Sequence, residues 1–565
     1  VYNVSILVIQ AIPVLLNRPL HIWIAFFSLI VIPSLWSQTG NTVGLILNTE
    51  NSYNGYTMLA PINSNSTYLL DNCGYVVNSW ESDYGPALAA HLTTKGTMIR
   101  SGRITSDFLA GGSGGLIQEF DWDGNILWEV MLSNGLYHQH HDIKPMPNGN
   151  ILVLAWEWNS SFDAMMLGRD PEKITDNGIW TEMLLEIEPV GVSDYLVKWE
   201  WHLNDHLVQD IDTSVANYGV ISEHPELIDI NYSNSLVDLF HANALDYNEE
   251  RDQIVINFRN YHEFYVIDHS TTSAEAAGHT GGQMGRGGDV IYRFGNPAAY
   301  GRGEESDQKF YSQHGANWVD DGIYRNSIIV FNNGLERPQG SFSSVEIVTP
   351  PWNGSEYTLE SNAAYGPEEF AFAYVGTPTS DFFSGRISNA TVLPNDNVLI
   401  CNGQLGQLFE VNQDKEKVWE YINPVLGPFI SEQGEVNPES TVFSTERYSL
   451  DFPGIPESVN LGNPIEQFSD YECTITLEEV NVVDRGLDDV KLYANPVDEI
   501  IQIRNPLFYN LDCSVYDLYG RQVIPTFTSN EMNIQISNNL RSGYYLLKVS
   551  NKKLNAENIF KMIKR

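Results

Sequence analysis

Short runs of β-branched and aromatic residues, bounded by Gly, Asn, Asp and Pro, fill most of the chain. That pattern predicts strands joined by tight turns almost throughout. An imperfect repeat recurs within it. Tyr68-Leu69-Leu70-Asp71 leads through Gly74 to Trp80, and Leu116 to Asp121 leads through Gly124 to Trp128-Glu129. Leu184 to Ile187 leads to Trp199-Glu200, and Leu408 to Val411 leads to Trp419-Glu420; Val290 to Phe294 reads as a copy without the Trp. A second element follows several of these: Asp142 to Leu154 has a counterpart in Asn389 to Ile400, with weaker copies at Asn243 to Ile256 and Ala316 to Val330. Two hairpin types alternating at irregular spacing predict an all-β chain whose main body, residues 39–465, is a six-bladed β-propeller with loop insertions. A repetitive β-sandwich array is the competing reading.

The repeat gives way to an acidic linker over residues 466–489, and residues 490–565 form a separate small β unit, expected to be a sandwich. At the other end, Arg18 precedes an apolar run from Ile22 to Leu35 with Ser37-Gln38 after it. A basic flank, a short apolar stretch and a small-residue exit describe a secretory signal region over 1–38, its first 17 residues read as an overlong gene start. With 31 Lys and Arg against 72 Asp and Glu the formal charge is −41, which repels phosphate backbones and excludes nucleic acid as a partner. It also makes any internal cluster of His and Arg a local positive island. Cys73, Cys401, Cys473 and Cys513 include no CxxC, so no thiolate metal site is expected, and their pairing is not readable from spacing.

Three of the histidine clusters stand out among 13 histidines: His138-Gln139-His140-His141-Asp142, Phe240-His241-Ala242-Asn243 and Ser312-Gln313-His314-Gly315. Each opens a second-type repeat. Equivalent strand positions on successive blades are related by rotation about the propeller axis, so these imidazoles are expected to converge although far apart in sequence. Arg259 closes the strand that follows His241. Strand alternation alone does not decide which face it uses.

Together, His140-His141-Asp142 with Pro147-Asn148-Gly149-Asn150, His241-x-Asn243 with Arg259, and Gln313-His314-Gly315 resemble the motif set of the bacterial PAPS-independent arylsulfotransferases, from near Gly44 to near Pro464. The resemblance implies a six-bladed propeller with a central anion pocket. A histidine matching His314 would take a sulfuryl group from an aryl sulfate and pass it to a phenol by a ping-pong route through a sulfohistidine, with no cofactor and no metal. Residues matching His241, Arg259 and His140 would serve the chemistry, and Asn243 and His141 would bind substrate. The spacing His140-x-Asp142, echoing His241-x-Asn243, favours His140 over His141 as the catalytic member of that pair. The tail motifs, Leu492 to Val497, Val515 to Arg521, Leu540 to Val549 and Phe560 to Arg565, resemble the C-terminal sorting domain of the type IX secretion system of Bacteroidetes. That implies engagement with the secretion machinery and a secreted or cell-surface location.

The chain departs from the family in lacking room between Gln38 and Thr67 for the N-terminal β-sandwich of well-studied members, and in lacking a closely spaced cysteine pair. No GxxxxGK[ST] phosphate loop and no Cys-x-[Pro/Ala]-x-Arg sulfatase motif occurs. Two alternatives remain open at this point: a non-catalytic propeller binding sulfated glycans, and a zinc hydrolase using the three histidines.

Overall fold

A computed structural model describes residues 41–435, 440–456, 458–466 and 473, and most of 487–564. The signal region, most of the linker, and the tail residues 494–497, 518–520 and 565 lie outside the described residues.

Six antiparallel sheets form the main body. The second blade runs Pro86–Leu92, Met98–Arg103, Gly115–Phe120, Ile126–Met131, and the third runs Tyr137–Pro145, Ile151–Asn159, Ile179–Val190, Asp194–His202. The fourth is Ala242–Asn248, Gln253–Phe258, Glu263–Asp268, Val290–Phe294, and the fifth is His314–Trp318, Ile328–Asn332, Ser344–Val348, Phe372–Val375. The sixth is Asn389–Val392, Val398–Asn402, Gln407–Val411, Lys417–Ile422, with Gly44–Asn48 added at its outer edge. The first blade mixes both chain ends: Arg447–Ser449 pairs with Gly55–Leu59, which is followed by Ser66–Leu70 and Val76–Glu81. First strands of successive blades from the second to the sixth touch one another, so they ring the axis. This is a six-bladed propeller whose ring is closed by pairing the two ends of the chain.

The two repeats are the two hairpins of a blade. The first type is the third and fourth strands; the second type is the first and second. The recurring Trp has a physical reason. Trp80 Nε1–H donates to the Asp121 carbonyl (2.8 Å), Trp128 to Asp194 O (2.8 Å), Trp199 to Thr271 Oγ1 (3.0 Å) and Trp419 to Asn72 O (2.9 Å). Each outer-strand Trp thus buries its ring and ties itself to the turn region of the next blade. Apolar clusters likewise lie between blades: Ile117 and Trp128 of the second pack with Ile143, Val153 and Leu185 of the third. Burying each such side chain stabilises the joint by about 1.5–3 kcal/mol. Val290–Phe294 departs from the expected strand–turn–strand copy. It is the outer strand of the fourth blade alone, separated from its partner Glu263–Asp268 by an insertion, residues 269–289.

The tail forms two sheets, Lys491–Tyr493, Ile500–Arg504, Asn533–Ser537 and Gln522–Ser529, Leu511–Asp517, Gly543–Asn551, Ala556–Lys564, around buried Ile501, Ile503, Val515, Leu547 and Val549. Cys73, beside the first blade's outer turn, is disulfide-bonded to Cys473 beyond the propeller; Cys401 and Cys513 are buried free thiols. No helix of the described residues is long and apolar enough to cross a membrane.

Candidate active site

The first strands do not run straight. In the second, third, fourth and fifth blades a β-bulge interrupts their pairing, between Pro86 and Ala90, at the residues opposite Val153 to Ala155, between Ala242 and Ala244, and between His314 and Asn317. Left-handed backbone accompanies each, at Leu88 (φ 91°), His141 (φ 49°), His241 (φ 51°) and Gly315 (φ 61°). Such conformations are costly for residues with a Cβ and cluster at functional sites. Two of the four residues are histidines.

The bulges bring His141, His241 and His314 together with Arg259. The His141 and His241 rings stand edge to face, 4.9 Å apart. Phe443 lies 5.9 Å from His141 and 6.3 Å from His314 between ring centroids. The Arg259 guanidinium, on the turn after Gln253–Phe258, acts electrostatically on both His141 and His314. Room for His141 comes from Gly112: a Cβ there would lie 2.1 Å from the His141 ring, and the Gly112 carbonyl accepts the His141 N–H at 2.8 Å.

His314 has one defined tautomer. The Asn333 amide donates through Nδ2 to Ser384 O (2.7 Å) and Ile387 O (2.9 Å), which fixes its oxygen toward His314 Nδ1 at 2.7 Å. An amide oxygen only accepts, so His314 carries its proton on Nδ1 and a lone pair on Nε2. The Ile387 N–H points at that Nε2 from 3.3 Å. Burial first, then the Arg259 charge, pushes the ring down to about 3, so it stays neutral at ordinary pH. His241 is oriented differently: its Nδ1 meets Asp238 Oδ2 at 2.5 Å, leaving Nε2 as the outer nitrogen.

His140 does not join this group. It is fully buried, stacked on Trp156 at 4.0 Å, with Nε2 2.8 Å from Glu182 Oε2 and Nδ1 2.8 Å from His141 Nδ1. This corrects the preference for His140. Asp142 and Asn243 each precede the residue where pairing resumes, Ile143 and Ala244, but their side chains part: Asp142 Oδ2 accepts the Leu245 N–H of the next blade at 3.0 Å, and the left-handed histidines are His141 and His241. A slip of one residue at a bulge exchanges which side chain faces the axis. Burial, with Asp238 nearby, holds the Glu182 carboxyl well above its ordinary range, while burial holds both rings far below theirs. Glu182 Oε2, His140 and His141 Nδ1 form one hydrogen-bonded row, which leaves Nε2 as the outer nitrogen of His141. Asn243 also sits one layer back: its Nδ2 donates to Gln313 O at 3.0 Å and its oxygen accepts from Asn257 at 2.7 Å, which braces the residue before His314.

Asn333, Glu182, Asp238 and Phe443 were not singled out from sequence; none occupies a repeat position shared with the histidines. The arrangement offers an unprotonated imidazole nitrogen, a carboxylate-oriented imidazole, and a guanidinium with N–H donors, which suits transfer of an oxyanionic group to and from nitrogen. A separate cavity of about 620 Å³ opens where the first strands end, lined by His91, Lys144, Asp320 and Glu446. There Lys144 pairs with Asp246 at 2.8 Å and His91 with Glu446 at 3.1 Å, and none of the residues just described as the site takes part.

Residues 49–447 match the family described as arylsulfotransferase (ASST), and residues 491–564 match the secretion system C-terminal sorting domain. A search of curated proteins by sequence returned no match. Among solved structures, a protein of unknown function from Bacteroides caccae is 10% identical, covering 70% of this chain and 98% of its own, with a TM-score of 0.37. Virginiamycin B lyase from Staphylococcus aureus is 11% identical, covering 67% and 88%, at 0.31. The β-propeller domain of Myceliophteria thermophila Cps50 is 11% identical, covering 70% and 89%, at 0.31.

Proposed function

Since the chain belongs to the arylsulfotransferase family and carries a type IX sorting domain that implies secretion or a cell-surface location, we propose that it moves a sulfuryl group from a phenolic sulfate ester to a phenol through His314. The observation that carries this reading is the His314 tautomer: Asn333 holds the proton on Nδ1, so the Nε2 lone pair is ready beside Arg259.

In the first half-reaction His314 Nε2 attacks sulfur, the S–N bond forms and the bond from sulfur to the aryl oxygen breaks. The departing phenolate takes a proton from His241 Nε2, the nitrogen opposite the one that Asp238 holds. Arg259, the outer nitrogen of His141 and the Ile387 N–H, which passes from Nε2 to the oxygens as sulfur binds, hold the equatorial sulfuryl oxygens, where charge accumulates in a loose transition state of the phosphoryl-transfer kind. Phe443 offers an apolar face to the aryl ring. In the second half the acceptor phenol returns its proton to His241, its oxygen attacks sulfur and the S–N bond breaks. Asn243 and His140 act behind the site, as positioning residues.

The test incubates the secreted protein with 4-nitrophenyl sulfate, with and without phenol. Nitrophenol release is expected to depend on phenol and to vanish in His314→Asn, with an acid-labile modification recoverable on the His314 peptide. Turnover unchanged in that variant refutes the assignment.

A further inference from the structure

The insertion 269–289 in the fourth blade carries chemistry that sulfuryl transfer does not use. After Glu263–Asp268 the chain forms the short helix Ser273–Ala276, then a glycine-rich loop from Gly278 to Gly288, and returns at Asp289. His206, on the turn that leaves the third blade, inserts beneath this loop. It is fully buried, its ring stacked on Trp201 at 5.4 Å and nearly parallel to it. The fit is close. A Cβ at Gly288 would lie 2.1 Å from the Ala276 carbonyl and 2.6 Å from His206 Nε2, and the Gly288 carbonyl accepts the Trp201 Nε1–H at 2.8 Å.

Within that enclosure His206 Nε2 is 2.8 Å from the Ala276 carbonyl, which only accepts, so the proton of a neutral ring sits on Nε2 and Nδ1 holds a lone pair. That lone pair faces Asp289 Oδ1 at 2.8 Å, and His279 Nδ1 faces the same oxygen from 2.8 Å. Donor atoms of His206, His279 and Asp289 all lie within 4.8 Å of one another; among the described residues the axial histidines form no such group. Two lone-pair atoms facing each other need a proton or a metal cation between them, and a second imidazole on the same carboxylate oxygen favours the metal. A histidine whose far N–H is fixed on a backbone carbonyl is also the usual support of a metal ligand.

We propose that His206, His279 and Asp289 bind a zinc ion that ties the exit of the third blade to the insertion of the fourth. Imidazole nitrogens with one carboxylate suit zinc rather than calcium, which takes oxygen ligands. Zinc about 2.0–2.1 Å from each donor sets tetrahedral ligands about 3.3 Å apart, so a donor shift of about half an ångström accommodates it. His279 is the open side, with 61% of its side chain exposed. A water on that open side would complete four ligands.

The test uses the tag-free full chain, stripped with chelator and titrated with Zn²⁺ alone against a chromophoric competitor, with melting followed in parallel. One equivalent is expected to bind and to raise the melting temperature. Affinity should fall at least tenfold in His279→Ala, whose exposed side chain leaves folding unaffected, and persist in His241→Ala. The proposal is overturned if the parent takes up no equivalent, if His279→Ala binds equally well, or if His241→Ala loses the site; a bare imidazolium–carboxylate pair would give the first of these results.

Discussion

Burial holds His314 neutral down to about 3, whereas in an unfolded chain the same ring takes its proton near pH 6.5. Across that window the unfolded state binds more protons, so stability declines as pH falls through it, by up to about 1.4 kcal/mol per pH unit for one such ring. His138 and His262, both pushed by burial to about 4, add to the same slope. His314→Asn removes one contributor. Its urea midpoint is expected to fall less steeply than the parent's between about pH 6 and about pH 4; parallel slopes would show that His314 is already charged there. The identity of the axial histidines was readable because each opens a repeat. Choosing between His140 and His141 was not, because a bulge shifts the register by one residue and no composition signal marks where it falls. Asn333 and Glu182 stayed hidden for another reason. They act by donating or accepting at one atom, and a single Asn or Glu on a strand looks like any other.

At the level of the element, the strand–turn–strand repeat was legible because its Trp answers a constraint that recurs at four of the six joints: a large ring to fill the gap between blades and one N–H to hold the neighbouring turn. Trp128→Phe keeps much of the ring but forfeits the bond to Asp194 O. A loss of at least about 1 kcal/mol in unfolding free energy is expected by denaturant titration. An unchanged midpoint would mean that the recurring Trp is retained for its ring alone. The fourth blade was misread because the 269–289 insertion separates two strands that pair in space. A local pattern cannot report pairing across such a distance, and the same insertion holds the His206–His279–Asp289 group.

For the whole molecule, ring closure rests on two devices of different kinds. Gly44–Asn48 and Arg447–Ser449 close it by strand pairing, and the Cys73–Cys473 bond, across 400 residues of sequence, closes it covalently. Neither was read from the sequence: Arg447–Ser449 belongs to no copy of the repeat, and four scattered cysteines fix no pairing. Constraining so long a loop in the unfolded chain stabilises the fold by up to about 5 kcal/mol. Cys73→Ala/Cys473→Ala is therefore expected to melt several degrees lower than the parent while retaining transfer activity at moderate temperature; equal melting would assign closure to the strands alone. Outside the cell, where proteases meet exposed loops first, the bond has one more effect. A single backbone cut anywhere between the two cysteines leaves the propeller in one piece, and the fragments separate only when a reductant is added as well.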